Sequence, residues 1–148
     1  MRQIQRSALV PYSAEQMFDI VNNVARYQEF LPWCESSEIL SDSDSEMIAS
    51  VDLNAKGMRQ SFTTRNTLDR PNSIRMSRES GILTSLQGEW QFKALGEDGC
   101  KISLDLSFDM PRSLSLVGGT KLFDQAADKM VEVFCARADQ LYGAEHDR

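Results

Sequence analysis

The sequence predicts an α+β domain in which a curved, seven-stranded antiparallel sheet grips one long C-terminal helix. Three observations carry that expectation. From Thr120 to Tyr142 the apolar residues Leu122, Phe123, Ala126, Ala127, Met130, Val131, Phe134, Cys135, Ala138, Leu141 and Tyr142 recur at helical spacing, which marks a helix with one wide buried face. Between Trp33 and Pro111 the apolar period drops to two, most clearly in Ile102, Leu104, Leu106 and Phe108 set against Lys101, Ser103, Asp105 and Ser107, the mark of half-buried strands. The links between these runs are of hairpin length, so neighbouring strands pair antiparallel, and their common apolar face has one element long enough to cover it.

In chain order, Ile4 to Val10 is a strand ended by Pro11, and Ser13 with Gln16 has the spacing of a capping box opening a helix whose apolar face is Met17, Ile20, Val21 and Val24. A second short helix is expected from Asn23, carrying Tyr27, Phe30 and Leu31 and stopping before Pro32. Strands follow at Ile39 and Leu40, at Met47 to Ala55, and at Arg59 to Leu68, where Phe62, Thr64, Asn66 and Leu68 share one face. Ile74 and Met76 form a short strand, Leu86, Gly88, Trp90, Phe92 and Ala94 line the next, and Gly96 to Gly99 turns into the last. Gly118 and Gly119 break the chain before the long helix, and Gly143 suits a left-handed stop after it. At 1.5 Å per residue this helix is about 34 Å long, so the sheet must curve to follow it. Residues 1–143 therefore read as one domain and residues 144–148 as a disordered polar tail.

Composition narrows the function. No apolar run approaches the ~20 residues of a membrane span, and Met1 to Arg6 lacks the apolar core of a secretory signal, so a cytoplasmic protein is expected, with room for peripheral contact at the inner membrane. Cys34, Cys100 and Cys135 lack metal-ligand or paired spacing and read as reduced thiols. The single histidine, His146, lies in the tail, which removes most zinc and Ser-His chemistry. There is no nucleophile elbow, glycine-rich phosphate loop or distinctive carboxylate pair. No catalytic residue, metal or cofactor is expected, and binding is favoured over catalysis.

The net charge of −6 disfavours indiscriminate nucleic-acid binding. It conceals an asymmetry: Glu35 to Asp52 holds Glu35, Glu38, Asp42, Asp44, Glu46 and Asp52, whereas Lys56 to Arg78 holds Lys56, Arg59, Arg65, Arg70, Arg75 and Arg78 against Asp69. Two solvated faces of a sheet explain this, and so does a docking surface built on Arg59, Arg65 and Arg75.

Small residues, Ala126 and Ala127 on the helix and Gly88 on the sheet, oppose one another across the interface, either to pack closely or to leave a void. Around them fall Trp33, Phe62, Met76, Trp90, Phe92, Phe123 and Met130, with Thr64 and Asn66 as sparse polar contacts. That lining suits an apolar pocket for a ring or prenyl chain. Arg137 and Arg78 sit at the edges of this apolar arc, each read either as a snorkelling side chain or as a cation at the end of a cavity.

The run Tyr27-Gln28-Glu29-Phe30-Leu31-Pro32-Trp33-Cys34, the segment Leu86 to Phe92, and Phe123 through Met130 to Phe134, Arg137, Ala138 and Tyr142 together resemble the coenzyme Q-binding, START-like family, which includes bacterial ribosome association toxins. The resemblance covers nearly the whole chain. It implies a helix-grip fold with an apolar tunnel under the terminal helix, and one of two activities. The first is non-enzymatic binding of ubiquinone as a ligand, in support of respiration. The alternative is docking on the large ribosomal subunit so that subunit joining is blocked. The resemblance, joined to polarity and parity, places Tyr27, Phe30, Trp33, Phe62, Thr64, Met76, Trp90, Phe92, Phe123, Ala127 and Met130 around the ligand.

Overall fold

The computed structural model describes residues 2–55, 58–81, 83–113 and 119–146. The elements run β1 (Arg2–Val10), α1 (Ala14–Asn22), a 3₁₀ helix (Val24–Glu29), β2 (Cys34–Asp42), β3 (Glu46–Ala55), β4 (Met58–Asp69), β5 (Ser73–Gly81), β6 (Ser85–Ala94), β7 (Cys100–Asp109) and α2 (Gly119–His146). The strands form one seven-stranded sheet in the order β1-β7-β6-β5-β4-β3-β2, and every neighbouring pair is antiparallel. The expected fold class is the observed one.

Local chemistry sets the boundaries. Ser13 Oγ accepts from the Gln16 backbone N–H at 3.1 Å, and the Gln16 side chain accepts from the Ser13 N–H at 2.9 Å, closing the capping box that starts α1. The helix buries Met17, Phe18, Ile20 and Val21. The sheet bends through register shifts in β2 between Cys34 and Ser36 and between Ile39 and Ser41, and in β5 at Glu79, opposite Thr63 and Thr64 of β4, since an extra residue on one strand tightens its twist. Gly81, at φ +121, pairs with Phe62. A Cβ there would meet the Phe62 Cα at 2.5 Å, so only glycine allows that approach.

The covering helix differs from its expected limits. It runs through Gly143 to His146, so Gly143 is not a stop and residues 144–146 are helical, while 147–148 lie outside the described residues. A glycine in a helix interior costs only about 1 kcal/mol, which the packing of a long element absorbs. The expected break at Gly118 and turn at 56–57 also lie outside the described residues. Leu141, assigned to the apolar face, is 48% exposed.

The buried side chains form three clusters. The first joins α1 to β6, β7 and α2 through Phe18, Phe92, Ile102, Phe134 and Ala138. The second lies around Leu83, Leu86, Phe108, Phe123 and Ala127. A small third holds Val24, Met47 and Ala49. One contiguous core is the usual arrangement, and the division here reflects a gap where the clusters meet.

Candidate functional site

That gap is a cavity of about 120 Å³ between the concave face of the sheet and α2. Members of all three clusters line it, among them Trp90, Leu104 and Phe134 from the first, Leu83, Phe108 and Ala127 from the second, and Val24 and Ala49 from the third. Its size decides what fits. It is well below the ~300–1,000 Å³ of ordinary small-molecule pockets and close to the ~150 Å³ that accommodates a benzene ring. The space is therefore a ring-sized cavity, narrower than the tunnel the family resemblance implies.

Of the side chains placed around a ligand by the sequence, Tyr27, Trp33, Phe62, Thr64, Met76, Trp90, Phe123, Ala127 and Met130 line the cavity. Phe30 and Phe92 do not, and packing explains both. Phe30 lies edge-on to Phe134 at 5.5 Å and to Tyr27 at 5.9 Å, with the Arg137 guanidinium 4.8 Å over its ring. Phe92 is on the concave face but is stacked against Trp90 at 6.4 Å and meets Phe18 of α1 edge-on at 5.7 Å. Strand parity identifies the face of a residue, not its depth along the strand.

Many wall residues are aliphatic and escaped the search for rings and thioethers: Leu31, Val51, Leu53, Leu83, Leu86 and Leu106 among them. For Val51, Leu53, Leu86 and Leu106 inward strand parity was the available signal, whereas Leu31 and Leu83 lie in connections that carry none. Gly88 does not itself leave the void, because a Cβ built on it would meet Met76 Cε at 2.7 Å and Leu106 Cδ1 at 2.9 Å. These two side chains fill the space above the glycine, and the opening lies beyond them.

The polar lining is sparse. Among the described lining residues, only Tyr27, Thr64 and Asn66 carry a hydroxyl or amide side chain, Trp33 and Trp90 add indole N–H groups, and none is charged. The Tyr27 hydroxyl donates to the Val21 carbonyl, and burial pushes its pKa above the ordinary tyrosine range. Thr64 and Asn66 are 7% and 5% exposed. They sit two apart on β4, where Asn66 pairs with Met47 of β3 and Met76 of β5. Asn66 Oδ1 is enclosed and has no hydrogen-bond partner.

Beyond one end, Arg137 pairs with Glu29 at 2.9 Å and covers Phe30. It thus ties α2 to the 3₁₀ helix rather than entering the cavity. Arg78 donates to the carbonyls of Leu83 and Gly81, bracing the β5–β6 connection.

The charge asymmetry resolves into pairs. Arg59 meets Glu35 at 3.3 Å, Arg65 meets Glu46 and, at 3.0 Å, Glu79, Arg70 meets Asp19 at 3.1 Å, and Arg75 meets Glu89 at 2.7 Å. Glu35 and Glu46 come from the acidic stretch, whereas Asp19, Glu79 and Glu89 lie outside it, and Arg59, Arg65 and Arg75 each have a carboxylate partner. An open depression of about 750 Å³ on the convex face is lined by polar side chains such as Gln3, Gln5, Gln87 and Ser103. Among the described residues there is no cluster of three or more His, Cys, Asp or Glu placed to hold a metal, and no helix is long and apolar enough to cross a membrane.

Residues 10–135 match the family described as polyketide cyclase / dehydrase and lipid transport. This chain belongs to that family. The chain is 54% identical over 140 residues to the ribosome association toxin RatA of Pseudomonas aeruginosa, a match covering 95% of this chain and 97% of that one. It is 24% identical over 143 residues to the mitochondrial coenzyme Q-binding protein COQ10 homolog B of Xenopus laevis, covering 94% of this chain and 59% of the other. Among solved structures, the Zhui aromatase/cyclase from Streptomyces superposes with a TM-score of 0.79 at 17% identity, covering 94% of each chain. At that identity the likeness concerns the fold.

Proposed function

We propose that this chain acts by binding rather than by catalysis, holding an uncharged, largely apolar ligand in the cavity beneath α2, with ubiquinone the favoured ligand and support of respiration the role. The observation that carries this reading is the ring-sized cavity walled by Trp33, Phe62, Trp90 and Phe123, with no charge among the described lining residues. A charged head would be buried there without compensation. Among the described lining residues there is no carboxylate, imidazole or amine to move a proton, which favours a carrier over a cyclase. The name of the Xenopus relative, coenzyme Q-binding, adds support. Native mass spectrometry of freshly purified protein, followed by titration of the delipidated chain with a short-chain ubiquinone, tests the reading. A co-purifying quinone and saturable quenching of Trp33 or Trp90 is the expected result; neither appearing would end it.

A second reading is favoured by the name of the 54% identical relative, ribosome association toxin: docking on the large ribosomal subunit so that subunit joining is blocked. The paired arginines then take part only by exchanging Glu35, Glu46, Glu79 or Glu89 for phosphate oxygens, which makes docking steeply salt-dependent. Co-sedimentation with separated subunits at two salt concentrations discriminates, since failure to travel with the large subunit at low salt removes this reading. The two activities use different surfaces and are compatible, as is transient contact with a membrane surface during ligand transfer.

A further inference from the structure

Asn66 poses a problem that the cavity reading leaves open. Its side chain is 5% exposed, it lines an almost wholly apolar space, and its Oδ1 accepts no hydrogen bond. Leaving a buried acceptor unsatisfied costs more free energy than a typical hydrogen bond returns, and such groups are rare. The neighbours offer no remedy. Met47 and Met76, its cross-strand partners, carry thioethers that cannot donate, and the Tyr27 hydroxyl is committed to the Val21 carbonyl. An ordered water needs two to four polar partners; among the described lining residues Thr64 and the indole N–H groups of Trp33 and Trp90 remain, and none of them bonds to the Asn66 oxygen.

What satisfies a buried carbonyl oxygen is a donor carried by the ligand. We propose, resting on the cavity reading above, that the site is selective for lipids whose head ring bears a hydroxyl, a hydroquinone or phenol, and that Asn66 selects them by accepting that hydroxyl's hydrogen bond. The oxidised form of the same ring presents only carbonyl and ether oxygens, so it sets an acceptor against an acceptor. A carboxylate head fails for the same reason and finds no cation among the described lining residues. The ring-sized volume of about 120 Å³ places an aromatic head there, next to the residue that reads it. Asn66 pairs with Met47, which packs with Val24. The head therefore lies toward the 3₁₀ helix and the apolar body toward Phe123 and Leu83.

The test compares one short-chain benzoquinone with its own hydroquinone, the latter held reduced under anaerobic conditions, on the full chain. Dissociation constants are taken from the saturation of Trp33 and Trp90 fluorescence and not from its amplitude, which differs between redox forms. The hydroquinone is expected to bind about tenfold more tightly. In Asn66→Leu, which keeps the size and removes the acceptor, that preference disappears through loss of hydroquinone affinity while quinone affinity holds or rises. Equal binding of the two forms by the wild-type chain overturns the proposal and leaves the cavity reading standing, as does a preference that persists in Asn66→Leu. Failure of both forms to bind overturns both readings.

Discussion

Replacing Ala127 by leucine tests whether the gap under α2 is kept open for a ligand. Ala127 is 3% exposed and lies against the cavity. At ~24 cal/mol per Å³, an empty volume of 120 Å³ corresponds to about 3 kcal/mol of packing energy that the chain forgoes. Leucine projects three more carbons into that space, each worth up to ~0.8 kcal/mol when buried, and imperfect fit against Phe123 and Leu83 removes part of the gain. A net stabilisation of about 1 to 2 kcal/mol follows, raising Tm by roughly 2 to 8 °C for a domain of this size. Calorimetry measures this with Ala136→Leu, at an exposed position on the same helix, as the control for helix propensity. Wild-type protein should gain a further Tm increase with saturating ligand, near 2.7 kcal/mol at a hundred times Kd, and Ala127→Leu should gain none. A fall in Tm with ligand binding intact would show that Ala127 is in close packing and that the gap is not the site.

Gly88→Ala should drive Met76 Cε, 2.7 Å from the new Cβ, toward the cavity, weakening ligand binding several-fold at a stability cost of about 1 to 3 kcal/mol; retained affinity in titrations would place the ligand elsewhere. The Cys34 thiol, pushed up to about 11 by burial and then by Asp52, and the Cys100 thiol, pushed up to about 11 by burial and then by Cys135, should resist alkylation at pH 8 until the chain unfolds. Because the unfolded thiols ionise near 9, the folded state binds more protons between pH 9 and 11, so stability measured by denaturant titration should fall with rising pH across that window. Glu79→Gln removes a partner of Arg65 and should strengthen low-salt co-sedimentation with the large subunit, with Arg65→Ala weakening it; no change in either variant would exclude Arg65 from docking. Lengthening the isoprenoid tail of the ligand should raise affinity by much less than the ~4 kcal/mol that free burial of each five-carbon unit would give, and full increments by calorimetry would mean a channel already open.

The fold was legible because most of its strands are half-buried. Ala49, Val51 and Leu53, or Ile102, Leu104 and Phe108, alternate with polar residues without interruption, and α2 carries its apolar stripe from Phe123 to Ala138. The site was legible to the extent that parity determines it. Phe62, Thr64, Met76 and Trp90 face inward by alternation and do line the cavity, whereas Phe92 shares their parity but lies where α1 closes the sheet's mouth with Phe18. Phe30 follows a 3₁₀ segment, where amphipathic periodicity gives no direction. The ion pairs were hidden for a different reason. Arg65 and Glu46 are 19 residues apart, and only the β3–β4 register, which sets Arg65 opposite Ile48, brings them together. The unsatisfied Asn66 oxygen could not be read from sequence, since it depends on what every neighbour lacks.

A ring-sized cavity and a long prenylated ligand differ in size, and the architecture shows where the difference can be taken up. The sheet is stiff, for each inner strand is held by ladders of hydrogen bonds on both sides and no single one can withdraw without breaking them. The helix is held otherwise. The Tyr12 hydroxyl donates to Asp139, and Arg6 pairs with Asp128, so the polar attachments of α2 to the first dozen residues lie on its β1 and α1 side, with Arg137 and Glu29 fixing it to the 3₁₀ helix. Over β4 and β5 it is supported by side-chain contacts, such as Phe123 with Phe62 at 6.2 Å, and by the cavity itself. Dispersion contacts of that kind are individually weak and can be exchanged for equivalent contacts with a ligand. Opening α2 on its β4 side about its fixed β1 side is therefore the low-cost motion, and it widens the cavity at the Phe123 end, away from Asn66 and the ring.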